Sequence, residues 1–165
     1  MDINDLVSRN LINLELSSKT QSEAIKQMAK MLKAEDKIDD LNEFIKGIMK
    51  REKESTTGFG KGVAIPHCKS RTVKEASISI GKIENKGIEW NSMDSKPVKF
   101  IIMLAIPLED AGKKHLEILS ELSGRLMDDE FLEELINSKK PNNVIEILTK
   151  DKTKQKADEL GLSNI

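Results

Sequence analysis

Three side chains are equipped for nucleophilic or ligand chemistry near neutral pH: His67, His115 and Cys68, the two histidines and the one cysteine of a 165-residue chain. An unperturbed imidazole titrates near pH ~6.5, so it is largely neutral at pH 7 and free to act as a nucleophile. Such a ring can take up a phosphoryl group and pass it on, because the resulting phosphoramidate stays reactive. His67 stands near the end of the string Thr57-Gly58-Phe59-Gly60-Lys61-Gly62-Val63-Ala64-Ile65-Pro66-His67-Cys68. Alternating glycines let a backbone adopt positive φ or approach a neighbour closely, and successive N–H groups in such a turn can form an anion-binding concavity. Ile65 is pushed towards extended geometry by the proline that follows it, and Pro66 fixes its own φ. The string therefore predicts His67 at the end of a short, stiff strand. The plainer reading of the same residues is a glycine-rich turn into a buried strand. No nucleotide motif is present: GxGxxG fails at Lys61-Gly62, and no Gly-Lys-Ser/Thr triplet occurs.

A metal-binding or thiol enzyme built on Cys68 and the histidines is the competing chemistry. It has a poor pattern. Cys68 adjoins His67, and neighbours on a strand face opposite sides. No second cysteine or carboxylate cluster completes a ligand set in the sequence.

Taken with Arg51-Glu52 upstream, the string resembles the IIA domain of the fructose–mannitol class of the bacterial phosphoenolpyruvate-dependent sugar phosphotransferase system. In that family an Arg-Glu pair, a Thr/Ser-Gly-x-Gly segment and an Ala-Ile-Pro-His string surround the phospho-accepting histidine. Here they read Arg51-Glu52, Thr57-Gly58-Phe59-Gly60 and Ala64-Ile65-Pro66-His67, and Cys68 fits the small residue usual after the histidine. The resemblance implies a three-layer α/β/α sandwich with a mixed β-sheet, with His67 as phospho-acceptor and His115 beside it. It also implies the phosphocarrier protein HPr as donor and a IIB domain of a sugar permease as acceptor. No cofactor or metal is called for, and a membrane would be reached only through the permease complex. The new negative charge would be balanced by the guanidinium fork of Arg51, one N–H of His115, and the loop of Thr57, Gly58, Gly60 and Gly62. The nitrogen-related regulatory branch shares these strings, so a protein that reports phosphorylation state by binding partners is the second reading.

The elements that must position these residues follow from periodicity. Leu11–Leu16 reads as a first strand. Thr20-Gln21-Ser22-Glu23 forms a capping box opening a helix with Ile25, Met28, Ala29 and Leu32 on one face. Asp40 is placed to cap a second helix carrying Leu41, Phe44, Ile45, Ile48 and Met49. Arg51, three residues after Ile48, lies near the buried edge of that stripe; it can point across the top of the core or snorkel at the helix end. Ala76–Ile80 alternates as a strand, Asn85-Lys86-Gly87 turns, and Ile88-Glu89-Trp90 reads as a short strand or hairpin return, with Trp90 a core or rim anchor. Val98–Ile106 is continuously apolar apart from Lys99, as in a central strand buried on both faces, and Pro107 ends it. After Asp110 and Gly112, a helix from Lys113 to Leu126 carries the row His115, Leu119, Leu122 and Leu126; by position alone, His115 is either a satisfied core residue or a site residue. Two short helices, around Phe131–Ile136 and Val144–Leu148, are separated by Pro141.

Length and charge bound the rest. The chain suits one domain, 1–150, followed by a polar tail, 151–165. Lys+Arg number 27 and Asp+Glu 28, which leaves no basic footprint for nucleic acid. One cysteine suits a reducing cytoplasm. The acidic start Met1-Asp2 is unlike a secretory signal, and the longest apolar run, Phe100–Leu108, is too short to cross a bilayer.

Overall fold

One strand divides the molecule into two faces. In the computed structural model, which describes residues 3–84, 86–110 and 113–150, Phe100–Pro107 (β6) is buried along its whole length. Strand side chains alternate, so Phe100, Ile102, Leu104 and Ile106 enter one apolar cluster, while Ile101, Met103 and Ala105 enter the other. A strand that must satisfy two cores reads as an unbroken apolar run, as this one does.

Five further strands flank it: Ile12–Leu16 (β1), Gly58–Gly60 (β2), Val63–Ala64 (β3), His67–Ser70 (β4) and Ser77–Ile83 (β5). The order is β1-β5-β6-β3-β2, with β4 also paired to β6. β5 runs antiparallel to β6 and β2 antiparallel to β3, whereas β1–β5, β3–β6 and β4–β6 are parallel. Helices Gln21–Ala34 (α1) and Leu41–Glu54 (α2) cover the face of Ile101, Met103 and Ala105. Helices Lys113–Leu126 (α3), Asp129–Ile136 (α4) and Pro141–Thr149 (α5) cover the other. This is the expected three-layer α/β/α sandwich on a mixed sheet.

The helix starts follow their caps. Thr20 Oγ1 accepts from the Glu23 N–H at 3.1 Å, and Asp40 Oδ1 accepts from the Glu43 N–H at 3.0 Å. Pro141 sits in the first turn of α5, where its missing N–H costs nothing. The far end of α5 is held by a buried guanidinium: Arg125 donates to the carbonyls of Leu148, Ile147 and Lys150, and lies 4.5 Å over the Phe131 ring.

Three expectations are corrected. The first strand begins at Ile12, because Arg9–Leu11 forms a 3-10 turn. Ile88–Trp90 forms no strand; one bridge, Ile88 to Val98, pins it, with Trp90 2% exposed as an anchor. On α3 the buried row is His115, Ile118, Leu122 and Leu126; Leu119 is only partly buried, and Leu116 is 65% exposed. The predicted turn residue Asn85 and the tail 151–165 lie outside the described residues.

Candidate functional site

The site begins at an interruption in the ladder. Ala64 faces Ile101 and His67 faces Leu104, so the register on β6 is kept across Ile65-Pro66. Pro66 has no N–H to give, but its carbonyl accepts from Leu104 N at 2.9 Å. Ile65 turns its N–H to the Thr57 carbonyl at 3.0 Å and its own carbonyl back to His67 Nδ1 at 2.8 Å. His67 thus opens β4, instead of closing a strand, because the proline splits the segment into two short pieces.

A carbonyl can only accept, so the proton of neutral His67 resides on Nδ1 and the lone pair on Nε2. The registered pairing with Leu104 puts His67 on the α3 face. There it meets His115 from the first turn of α3, with ring centroids 5.4 Å apart and planes inclined at 51°. His115 is 5% exposed, and its Nδ1 is buried without a hydrogen-bond partner among the described residues. An unsatisfied buried nitrogen costs about 1–3 kcal/mol. The ring therefore keeps hydrogen-bonding capacity to spare, pointing to a group that arrives during function.

Both rings are held neutral. Burial lowers the His67 pKa; the bond to Ile65 opposes this, and the charges of Arg51 and Lys69 lower it further. Burial lowers His115 to about 4, reinforced by His67, Lys69 and Arg51. Arg51, in the last turn of α2, donates from Nη1 to the Ser55 carbonyl at 2.7 Å. It caps its own helix and still acts on both histidines through its field. Lys69 was not singled out from the sequence; its signal was there, two residues beyond His67 on one strand and hence on the same side.

Other expected members lie elsewhere. Thr57 is 8% exposed, and both its N–H and its hydroxyl are taken by the Glu52 carboxylate. The Gly58 N–H bonds to Thr56 Oγ1, and the Lys61 N–H to Asp94. Gly58 and Gly60 pair with Ala64 and Val63, opposite Ile101 and Phe100. At ~3.3 Å per residue, that is about 10 Å or more back along β6 from the Leu104 level of His67. Gly60 and Gly62 have positive φ, 104° and 85°; they turn the chain between β2 and β3. The structure does not bring the glycine loop to the histidines.

Cys68 points into the opposite core. Burial pushes its thiol up to about 12, which leaves negligible thiolate at neutral pH. Its neighbour is Gly47 of α2, where an added Cβ would lie 2.9 Å from Sγ. A larger residue at 68 would collide with α2.

A mixed sheet covered by helices on both sides, with two neutral histidines meeting where the central strand nears its end, defines an α/β domain organised around one imidazole pair. The chain belongs to the family described as phosphoenolpyruvate-dependent sugar phosphotransferase system, EIIA 2, whose model matches residues 5–151. It is 33% identical over 148 residues to the fructose-specific EIIABC component of Bacillus subtilis (strain 168), covering 90% of this chain but only 23% of that protein. It is 32% identical over 147 residues to the fructose-specific EIIA component of Haloferax volcanii, covering 89% of this chain and 94% of that one. Among solved structures, nitrogen regulatory protein IIA-Ntr from Neisseria meningitidis superposes with a TM-score of 0.83 at 28% identity, over 89% of this chain and 99% of that one. Escherichia coli IIA mannitol shares the fold at a TM-score of 0.71 and 20% identity, over 86% of this chain and 98% of that one. Among the described residues no helix is long and apolar enough to cross a membrane.

Proposed function

We propose that the chain is a phosphoryl carrier: it accepts a phosphoryl group from phospho-HPr on His67 and passes it to a IIB domain, for sugar uptake and phosphorylation. The observation that carries this reading is the Nδ1 bond to the Ile65 carbonyl, 2.8 Å long, which leaves Nε2 as the nucleophile beside His115. The Nε2 lone pair attacks phosphorus, an N–P bond forms, and the bond from phosphorus to the donor's nitrogen breaks, its electron pair leaving with the donor. The Nδ1 proton stays in its hydrogen bond. Little covalent work is asked of the protein, so positioning and charge stabilisation dominate. An N–H of His115, the guanidinium of Arg51 and the ammonium of Lys69 supply that charge. The fructose-specific relatives support the sugar branch, and a fold relative solved with phosphorylated enzyme IIB of the mannitol system supports the acceptor.

The likeness to nitrogen regulatory protein IIA-Ntr favours a second reading, a reporter of phosphorylation state that works by binding partners. Incubation with phosphoenolpyruvate, enzyme I and HPr, followed by intact-mass measurement and peptide mapping, tests the first step. One acid-labile phosphoryl group on His67 is expected, with His67→Ala folded and unlabelled. Label surviving in that variant, or mapping to Ser55 or Thr57, overturns the assignment. Transfer onward to a IIB domain separates the sugar branch from the regulatory one.

A further inference from the structure

His67 is oriented by a main-chain carbonyl, and that carbonyl belongs to a peptide the sheet does not fully hold, because Pro66 interrupts the ladder. Its placement has another source. Glu52, half-buried in the last turn of α2, accepts the Thr57 N–H on Oε2 at 3.1 Å and the Thr57 hydroxyl on Oε1. The indole Nε1 of buried Trp90 lies 3.4 Å from the same Oε1 and 3.4 Å from Thr57 Oγ1. The Thr57 carbonyl accepts the Ile65 N–H at 3.0 Å, and the Ile65 carbonyl accepts His67 Nδ1–H at 2.8 Å. Each residue in this series, from Glu52 through Thr57 and Ile65 to His67, is joined to the next by a hydrogen bond.

The carboxylate is suited to this task. It gathers three donors, N–H, O–H and indole N–H, which a neutral amide with one acceptor oxygen cannot do. Burial raises the Glu52 pKa, opposed by the bonds from Thr57 and Trp90 and by the charge of Arg51. We propose that Glu52 is a positioning residue for the nucleophilic imidazole. By clamping Thr57 it holds residue 65 in the orientation that keeps the proton on Nδ1 and aims Nε2 outward. The inference rests on His67 being the phosphoryl acceptor.

The test reads the imidazole directly. Histidine-selective ¹⁵N labelling of the unphosphorylated protein, followed by ring ¹⁵N–¹H correlation above pH 7, reports which nitrogen of His67 carries the proton. Wild type should show a single Nδ1–H form. Glu52→Ala should show a mixture of both tautomers and accept phosphoryl from phospho-HPr between about tenfold and a hundredfold more slowly, the scale of a misplaced reacting group. Glu52→Gln, which keeps one acceptor for the Thr57 N–H, should recover part of both signals. Arg125→Ala serves as the stability control, because it loosens α5 far from Glu52; it should lose stability yet keep the wild-type tautomer and rate. A wild-type tautomer and rate in folded Glu52→Ala would overturn the proposal. So would the same tautomer mixture in Arg125→Ala, which would make the effect one of general loosening. A wild-type protein that takes no label at His67 would instead overturn the carrier reading, and the tautomer comparison would still decide the role of Glu52.

Discussion

Phosphorylation of His67 should raise the pKa of His115 by about two units or more. His115 starts at about 4, chiefly because it is buried and secondarily because a proton on it is disfavoured by coupling to a proton on His67 and by the charges of Lys69 and Arg51. A phosphoryl group on His67 opposes those positive charges with negative charge of its own. With the 5.4 Å between ring centroids as the length scale and an effective dielectric constant of about 20, one unit charge contributes about 3 kcal/mol, or about two pK units. By analogy with other phospho-residues, the group carries between one and two negative charges near neutral pH, so the His115 midpoint should reach about 6 or above. The assay is a ¹H–¹³C titration of the two histidine rings, run on the free and the phosphorylated protein. In the free protein the His115 signals should be flat above pH ~5.5; in the phosphorylated protein they should move through a midpoint above pH ~6. A midpoint that stays below pH ~5 after phosphorylation would refute the reasoning, because no arrangement with the phosphoryl group beside this ring permits it. The same geometry makes His115→Gln, which keeps a donor, faster in transfer than His115→Ala.

The remaining predictions concern charge, packing and pH. Arg51→Ala should slow phosphorylation by about tenfold or more, and Arg51→Lys should restore it only in part because lysine lacks the planar fork; full recovery in a rapid-quench assay would reduce Arg51 to a point charge. Gly47→Ala should gain little or lose up to ~2 kcal/mol, the helix benefit being offset by the clash with Cys68. In a Cys68→Ala background the same change should stabilise by about 1 kcal/mol, read by urea denaturation, with transfer unaffected by Cys68→Ala alone. Arg125→Ala should cost about 2–3 kcal/mol, since three carbonyls at the end of α5, those of Ile147, Leu148 and Lys150, lose their partner. His115 is neutral in the folded state down to about pH 4, whereas an unfolded histidine takes its proton near pH ~6.5. The stability it contributes is thus complete above pH ~6.5 and lost as pH falls towards 4. After allowance for solvent at the mouth of the site this amounts to about 2 kcal/mol, and His115→Gln should flatten that part of the stability–pH curve.

Much of this architecture is written locally in the chain. Thr20 and Asp40 announce their helices because a cap is a contact within three residues, and β6 announces itself because burial on both faces removes polar positions. His67 is marked by the Ala64-Ile65-Pro66-His67 string, whereas the position of His115 at a helix start leaves it open between core and site, and only the family resemblance sets it beside His67. The glycine loop was misread because positive φ serves a tight β2–β3 turn and an anion nest equally well; only the sheet register shows which end of β6 it occupies. Along α3, spacings of three and four both fit a helical face, so the sequence does not separate Leu119 from Ile118, the one that enters the core. For Arg51 the sequence offers only a position at a helix end, which fits two tasks equally and does not reveal the bond to Ser55. The series from Glu52 to His67 passes through the Thr57 and Ile65 carbonyls, main-chain atoms that carry no letter in the sequence.

A site oriented by main-chain atoms tolerates mutational drift in its own way. The acceptor that fixes the His67 proton is a peptide oxygen, and any amino acid at position 65 would supply it. Replacing the Ile65 side chain can loosen packing against the α3 layer, but it cannot delete the oxygen. The vulnerable quantity is alignment: an insertion or deletion between Thr57 and His67 would shift the oxygen away from the ring while leaving both histidines in place. A thioamide at residue 65, which replaces the carbonyl oxygen by a weaker-accepting sulfur and keeps the Pro66 ring, would therefore perturb the nucleophile more than most substitutions of the Ile65 side chain.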